Sequence, residues 1–168
     1  MIDRDVVDAV LADAWRRTSP IHGEEHWRCV ATTGLGLADG LDGADRDVVL
    51  LFGLLHDTRR ENESVDPGHG PRAVVYTREL AAAGALPLED ARLAQLCHAI
   101  ELHSNGLVND DPTVGACWDA DRLHLPRVAI TPDPARFSTA LAHGPEPLAA
   151  AARVRDGPPE WDDLLRLL

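Results

Sequence analysis

The stretch Val48-Val49-Leu50-Leu51-Phe52-Gly53-Leu54-Leu55 is apolar throughout and runs straight into His56-Asp57. Such a segment must be covered on every side, and it carries an ionisable pair inward with it. An aspartate at the end of a buried segment is costly unless it is paired or bound to a cation. The neighbouring imidazole and carboxylate present nitrogen and oxygen donors from one helix end toward one site. The remaining chain therefore has two tasks: to coat this segment and to supply partners for the pair.

The coat reads as helical. Val6, Val7, Val10, Leu11 and Ala14 recur at three- and four-residue spacing and predict an amphipathic helix over 3–17, stopped by Thr18-Ser19-Pro20. A second helix is expected from Glu24 to Leu41 after the short loop Ile21-His22-Gly23, with His26, Val30, Thr33 and Leu37 on one face. Its Glu24 and Glu25 suit the positive end of a helix. Asp42-Gly43 makes the next turn, and the segment ending in His56-Asp57 follows from about Ala44. Residues 58–68 are polar and contain Pro67-Gly68, a loop by composition. A fourth helix begins at His69 or Gly70 and ends before Gly84, and a fifth runs from Leu88 to Leu102. Asp111-Pro112 caps a sixth that carries Trp118, Asp119, Asp121, Arg122 and Leu123. Short helices punctuated by Pro134 and Pro158-Pro159 fill a Pro- and Ala-rich tail over 131–168. The fold class expected is all-α, one domain over 1–168, with the core at about 20–130 and no strand.

Composition agrees and narrows the function. A chain of 168 residues with 45% apolar but only 4% aromatic residues builds its core from Ala, Leu and Val, which suits packed helices. Its net charge of −12 argues against general nucleic-acid or anionic-membrane binding, since phosphate backbones need a basic face. A small phosphate-bearing ligand held by local arginines and a cation is compatible with that charge. Cys29, Cys97 and Cys117 lack CxxC spacing and read as buried thiols of a reducing compartment. With no signal peptide and no apolar run of about 20 residues, a soluble, cytoplasmic protein is expected.

Four features line up along this helical chain: His26 before Trp27-Arg28, the pair His56-Asp57, His103 at a helix end, and Asp121 within Asp119-Ala120-Asp121-Arg122-Leu123. In order and spacing they resemble the HD superfamily of metal-dependent phosphohydrolases over about residues 20–130. "HGEEHWRCV" resembles that family's first-helix motif, "LLHDTRREN" its central motif and "DADRL" its last. The resemblance implies His26, His56, Asp57 and Asp121 as metal ligands. Asp119 competes for the last place, and the basic residue following Asp121 favours Asp121. Two imidazoles and two carboxylates suit Mn, Fe, Co, Ni, Zn or Mg with open water positions. In dinuclear relatives the central aspartate bridges two ions, so one or two divalent ions per chain are expected. His69 and His103 resemble the ligands of a second site; the alternative is that they touch phosphate or transfer protons. His98 precedes His103 by five residues, about 140° around a helix, and is the weakest of the three.

Arginines complete the expected site. Arg59 and Arg60 follow the central pair, Arg72 opens the fourth helix, and Arg122 replaces a basic residue that contacts substrate phosphate in some relatives. Guanidinium groups hold phosphate by paired hydrogen bonds, although each of these also suits a surface ion pair. Glu61 and Glu63 read as solvated loop carboxylates before general bases. His22 and His124 read as surface groups or supports for the ligands, and His143 as part of the tail. The four tryptophans read as core or docking contacts, with Trp118 the one nearest a pocket. The activity implied is hydrolysis of a small phosphomonoester or phosphodiester, conceivably a nucleotide, with Asp57, Arg59, Arg60, His69, His103 and Arg122 at the reacting centre. Two other readings stay open: a di-iron oxygenase on the same scaffold, and a non-catalytic helical module that binds a ligand.

Overall fold

A computed structural model describes residues 1–168. Eight α-helices follow one another with no strand: α1 (Arg4–Ala12), α2 (Glu24–Ala38), α3 (Arg46–Leu55), α4 (His69–Ala82), α5 (Asp90–Leu102), α6 (Pro112–Leu123), α7 (Pro145–Arg155) and α8 (Trp161–Leu165). Short 3-10 turns lie at 103–105, 125–128, 134–136 and 140–142. No helix is long and apolar enough to cross a membrane.

Helix α3 is the axis. Every residue from Val48 to Leu55 is buried, and α1, α2, α5 and α6 pack around it, while α4 lies against α5. Asp45 starts α3 by accepting a hydrogen bond from the Val48 amide at 3.1 Å, and Arg92 of α5 grips the same carboxylate through two bonds of 2.6 Å. Cap and inter-helix tie thus share one side chain. Asp111 caps α6 in the same way, with Pro112 in the first turn.

Close approach of α2 and α3 depends on glycine. A Cβ at Gly53 would stand 2.7 Å from the backbone of Ala31, and one at Gly34 would stand 2.7 Å from Val49. The two helices meet at these notches, which brings His26 of α2 to the level of His56 at the end of α3.

Three boundaries differ from those the sequence predicts. Helix α1 stops at Ala12 rather than 17, because the Trp15 amide bonds the Thr58 carbonyl at 2.8 Å and Arg16 turns into the left-handed region at φ 51°. Helix α2 stops at Ala38 rather than Leu41, closed by tight bonds such as Gly40 N to Leu37 O at 3.0 Å. Helix α5 starts at Asp90, two residues later than Leu88. The tail, from which the sequence shows least, is part of the core: Phe137, Ala142, Ala151, Trp161 and Leu164 are all buried. Trp161 docks α8 on α2 by donating its indole N–H to Glu24 at 2.9 Å. All three cysteines are buried free thiols.

Gly53→Ala should lower the melting temperature by forcing α2 from α3, a loss of about 1–3 kcal/mol. Gly36→Ala, on the exposed face of α2 with open space around it, should raise stability by about 0.5–1 kcal/mol. Thermal unfolding of the pair tests whether the notch or helix propensity governs.

Candidate metal centre

The site is assembled from five helix ends. His26 comes from the first turn of α2, His56 and Asp57 from the end of α3, His69 from the start of α4, His103 from the end of α5, and Asp121 from the last turn of α6. Two groups of donors result, His26/His56/Asp57 and Asp57/His69/His103, each with ligand atoms within 4.8 Å of one another.

In the first group His26 Nε2 lies 3.4 Å from His56 Nε2, 3.3 Å from Asp121 Oδ1 and 4.0 Å from Asp57 Oδ2. His56 Nε2 lies 3.8 Å from Asp57 Oδ2 and 3.9 Å from Asp121 Oδ1. Ligand bonds of about 2.1 Å place donors of a common ion roughly 3.0–4.2 Å apart, from cis to trans. All five separations fall in that span: His26, His56 and Asp57 form one donor group, and Asp121 stands at the two imidazoles of that group. The second group uses the other oxygen of the same carboxylate: Asp57 Oδ1 is 3.3 Å from His69 Nε2 and 3.8 Å from His103 Nε2. Asp57 thus faces both groups, one oxygen to each.

Main-chain carbonyls orient the rings. His56 Nδ1 donates to Gly53 O at 3.1 Å and lies 3.2 Å from Phe52 O; His103 Nδ1 donates to Ile100 O at 2.7 Å, and His69 Nδ1 donates to Asp66 O. A carbonyl only accepts, so each Nδ1 carries a proton, and in the neutral ring Nε2 turns a lone pair inward. His69 Nε2 and His103 Nε2 then face each other at 2.8 Å, a contact that one proton shared between them, or a cation bound by both lone pairs, makes favourable. The buried Nδ1 of His26 has no hydrogen-bond partner.

Protonation follows burial and charge. Burial, reinforced by Arg127, pushes His26 down to about 3, and burial with the neighbouring His103 pushes His69 down to about 4. His56 is lowered by burial as well. Burial opposes ionisation of Asp57, yet His56, the nearby His103, the hydrogen bond from His22 and the charge of Arg60 hold it well below the usual carboxylate range. Asp121 is also held low: the His26 bond, His56 and Arg127 outweigh its burial. His103 is driven down by burial but drawn net upward by the nearby carboxylates of Asp57, 3.8 Å away, and Asp121. Two ionised carboxylates beside the neutral imidazoles of His26, His56 and His69 make a donor set ready for a divalent cation.

The other predicted residues separate into those that reach the site and those that do not. Asp119 does not reach it. Its carboxylate is buried and accepts hydrogen bonds from the Ser138 and Thr139 amides at 2.8 and 2.7 Å; it fastens the tail, while Asp121, two positions on, faces the histidines. Arg60 does reach it, donating to Asp57 Oδ1 at 3.0 Å and to Ser64 O at 3.1 Å. Arg59 is turned to the far side of the loop, where its guanidinium pairs with Asp13 at 2.7 Å and lies 3.5 Å above the Tyr76 ring. The expectation of Arg59 at the reacting centre is therefore corrected: the tight turn after α3 sends consecutive side chains to opposite sides. Arg122 borders the cavity described below, but its guanidinium donates to the carbonyls of Arg136 and of Leu107, the latter at 2.5 Å. Arg72 pairs with Asp66. His98 bonds Asn109 away from the site, Glu61 is exposed, and Glu63 pairs with Arg16 and Ser19. Trp118 is core rather than pocket wall, donating its indole N–H to Ala99 O at 2.9 Å.

Two residues at the site have a larger part than the sequence suggests. His22 is buried, and its Nδ1 donates to Asp57 Oδ2 at 3.0 Å; its four-residue spacing before His26 was the available signal. Arg127 lies 4.0 Å from Asp121 Oδ1 and 3.3 Å from His22 Nδ1, brought back by the 3-10 turn after α6. His124 is fully buried against Thr33 at 2.8 Å and is lowered to about 4 by burial and Arg155.

A cavity of about 610 Å³ opens directly onto Asp57, His69, His103 and Asp121. Arg60 and Arg127 flank it, and the loop at 60–67, the turn at 104–106 and the tail at 125–136 form its walls. His26 and His56 lie beneath its floor. The class defined by fold and site is an all-helical domain with a buried His/Asp cluster that can hold a metal ion below an open pocket. Compared with protein-family models, with curated proteins and with solved structures, the chain matches none.

Two measurements follow. In metal-stripped protein, His26, His69 and His124 have folded pKa values below the unfolded value near 6.5. The unfolded chain then binds more protons, so their contribution is whole above pH 6.5 and is lost as pH falls toward 4 to 3; His103, shifted upward, acts in the opposite direction. Thermal unfolding should show a falling midpoint from pH 6.5 to 4, and a flat profile would contradict the buried neutral rings. Separately, Asp121→Ala should weaken metal uptake at least tenfold. Asp119→Ala should instead cost about 3–5 kcal/mol of stability, by orphaning two amides and removing the carboxylate 3.8 Å from the Arg122 guanidinium, with metal stoichiometry unchanged in the folded fraction.

Proposed function

We propose that the protein is a metal-dependent phosphohydrolase of the HD type, acting on a small phosphate ester. The observation that carries this reading is the Asp57 carboxylate, with one oxygen toward His26 and His56 and the other toward His69 and His103, below a pocket flanked by arginines. His26, His56, Asp57 and Asp121 hold one divalent ion in this reading; Asp57, His69 and His103 hold a second. A bound divalent ion lowers the pKa of water toward about 7 and polarises a phosphoryl oxygen.

The chain's own residues supply the rest. His22 and Arg60 hold the two oxygens of Asp57 in place. Arg60 and Arg127 place guanidinium charge beside the carboxylates, where a phosphoryl group entering the pocket meets it. His103, whose pKa is raised by Asp57, can deliver a proton to a leaving oxygen when no ion occupies its Nε2. Burial of the donors keeps bulk water from competing for them.

One observation favours a second reading. Three imidazoles backed by carbonyls and a shared carboxylate also suit a pair of iron ions, and hence oxidation of a carbon substrate. Iron content and oxygen uptake separate the two.

Asp57→Ala should remove both metal binding and hydrolysis, with kcat/KM for an aryl phosphate down by at least a thousandfold. Retained hydrolysis in this variant would rule out the proposal; metal analysis of the same preparation reports the binding half.

A further inference from the structure

The pocket is polar at its floor, and along its walls apolar side chains alternate with polar ones such as Ser64, Asn105 and Asp133. Val65 and Pro67, on the loop between α3 and α4, line it from one segment; Leu125, Val128, Ile130 and Pro132, on the chain leaving α6, line it from another. Two of these side chains have no core to join: Val65 is 88% exposed and Ile130 51% exposed. The turn that carries Ile130 is defined, with Ala129 at φ 59° and its amide bonded to Pro126 O at 3.1 Å. The cavity, about 610 Å³, is far larger than an inorganic phosphate and within the range of about 300–1,000 Å³ that holds drug-sized ligands. Of its four arginines, Arg60 is bonded to Asp57 and Arg127 stands beside Asp121 and His22, whereas Arg122 is engaged by the carbonyls of Leu107 and Arg136, and Arg136 pairs with Asp133. The guanidinium groups placed for an anion beside Asp57 and Asp121 are thus Arg60 and Arg127, and Val65, Leu125, Val128 and Ile130 offer apolar surface elsewhere in the same pocket.

We propose that the ligand of this pocket is a monophosphate ester with an apolar body at least the size of an aromatic ring, its phosphate at the Asp57/Asp121 end and its body between Val65 and Ile130. This rests on the phosphohydrolase reading for the nature of the head group. The body is selected by the walls: a ring covers apolar side chains that otherwise stand in water, whereas glycerol-like or inorganic phosphates leave them wet.

The test uses phosphonates, which keep the anionic head and are not hydrolysed. Calorimetric titration of the Mn²⁺-loaded protein should show phenylphosphonate binding roughly tenfold to a hundredfold more tightly than methylphosphonate. Val65→Ser and Ile130→Ser, both at exposed positions that leave the core intact, should each reduce that ratio at least threefold. Val75→Ser, an exposed site on α4 outside the pocket, should leave it unchanged. A wild-type ratio near one, no binding of either phosphonate, or a ratio insensitive to both wall variants overturns the inference. Hydrolysis of phenyl phosphate by the same preparation separates the two ideas. Hydrolysis with equal phosphonate affinities leaves the enzymatic reading standing and removes this one; a large ratio without hydrolysis does the reverse.

Discussion

The structure depends on ionising one carboxylate in an interior that disfavours it. Asp57 is 2% exposed at the end of a helix that is buried on all sides, so its charge has to be met by neighbours rather than water. His22 and Arg60 meet it directly, His26 and His56 stand at one oxygen and His69 and His103 at the other. These residues come from α2, α3, α4, α5 and the loops between them. Electrostatic demand at one point therefore requires five segments to converge, and the fold is the arrangement that lets them.

Convergence relies on small residues and on redundancy of anchoring. Gly34 and Gly53 let α2 and α3 approach closely enough for two Nε2 atoms to stand 3.4 Å apart. Main-chain carbonyls then lock three ring orientations without using another side chain. Asp119 and Arg122, beside Asp121 in sequence, work outward: one holds the amides at 138 and 139, the other the carbonyls of Leu107 and Arg136. Helix α6 thereby fixes the site with one face and closes the pocket wall with the next.

Much of this was legible in the chain itself. The apolar run into His56-Asp57 demands a surrounding coat, and the 3.6-residue periodicity of the segments around it makes that coat helical. Caps at Asp45 and Asp111 mark helix starts through local hydrogen bonding, which needs no knowledge of distant partners. His56-Asp57 was visible because a polar pair at the end of an apolar helix stands out against its neighbours, and His26 and Asp121 through the resemblance of their motifs to the HD superfamily. Asp119 against Asp121 was not separable by local rules, as both lie on one helix about 200° apart and either can face inward.

Tertiary structure alone decided the direction of each arginine, the early end of α1 and the role of the tail. Arg59 and Arg60 are adjacent and chemically identical, yet one stacks on Tyr76 and the other bonds Asp57; the turn after α3 and the ring across from it make that choice. The Thr58 carbonyl that ends α1 lies far along the chain from Trp15. The wall from Leu125 to Arg136 becomes part of the pocket only because Asp119 holds the segment behind it. What the sequence by itself determined was what depends on neighbours within a helical turn or two: helix periodicity, caps, and the cost of burying His56-Asp57. What only the fold decided was which partner, among many of equal chemistry, each long side chain and each free carbonyl finds, since that depends on contacts between segments distant in the chain.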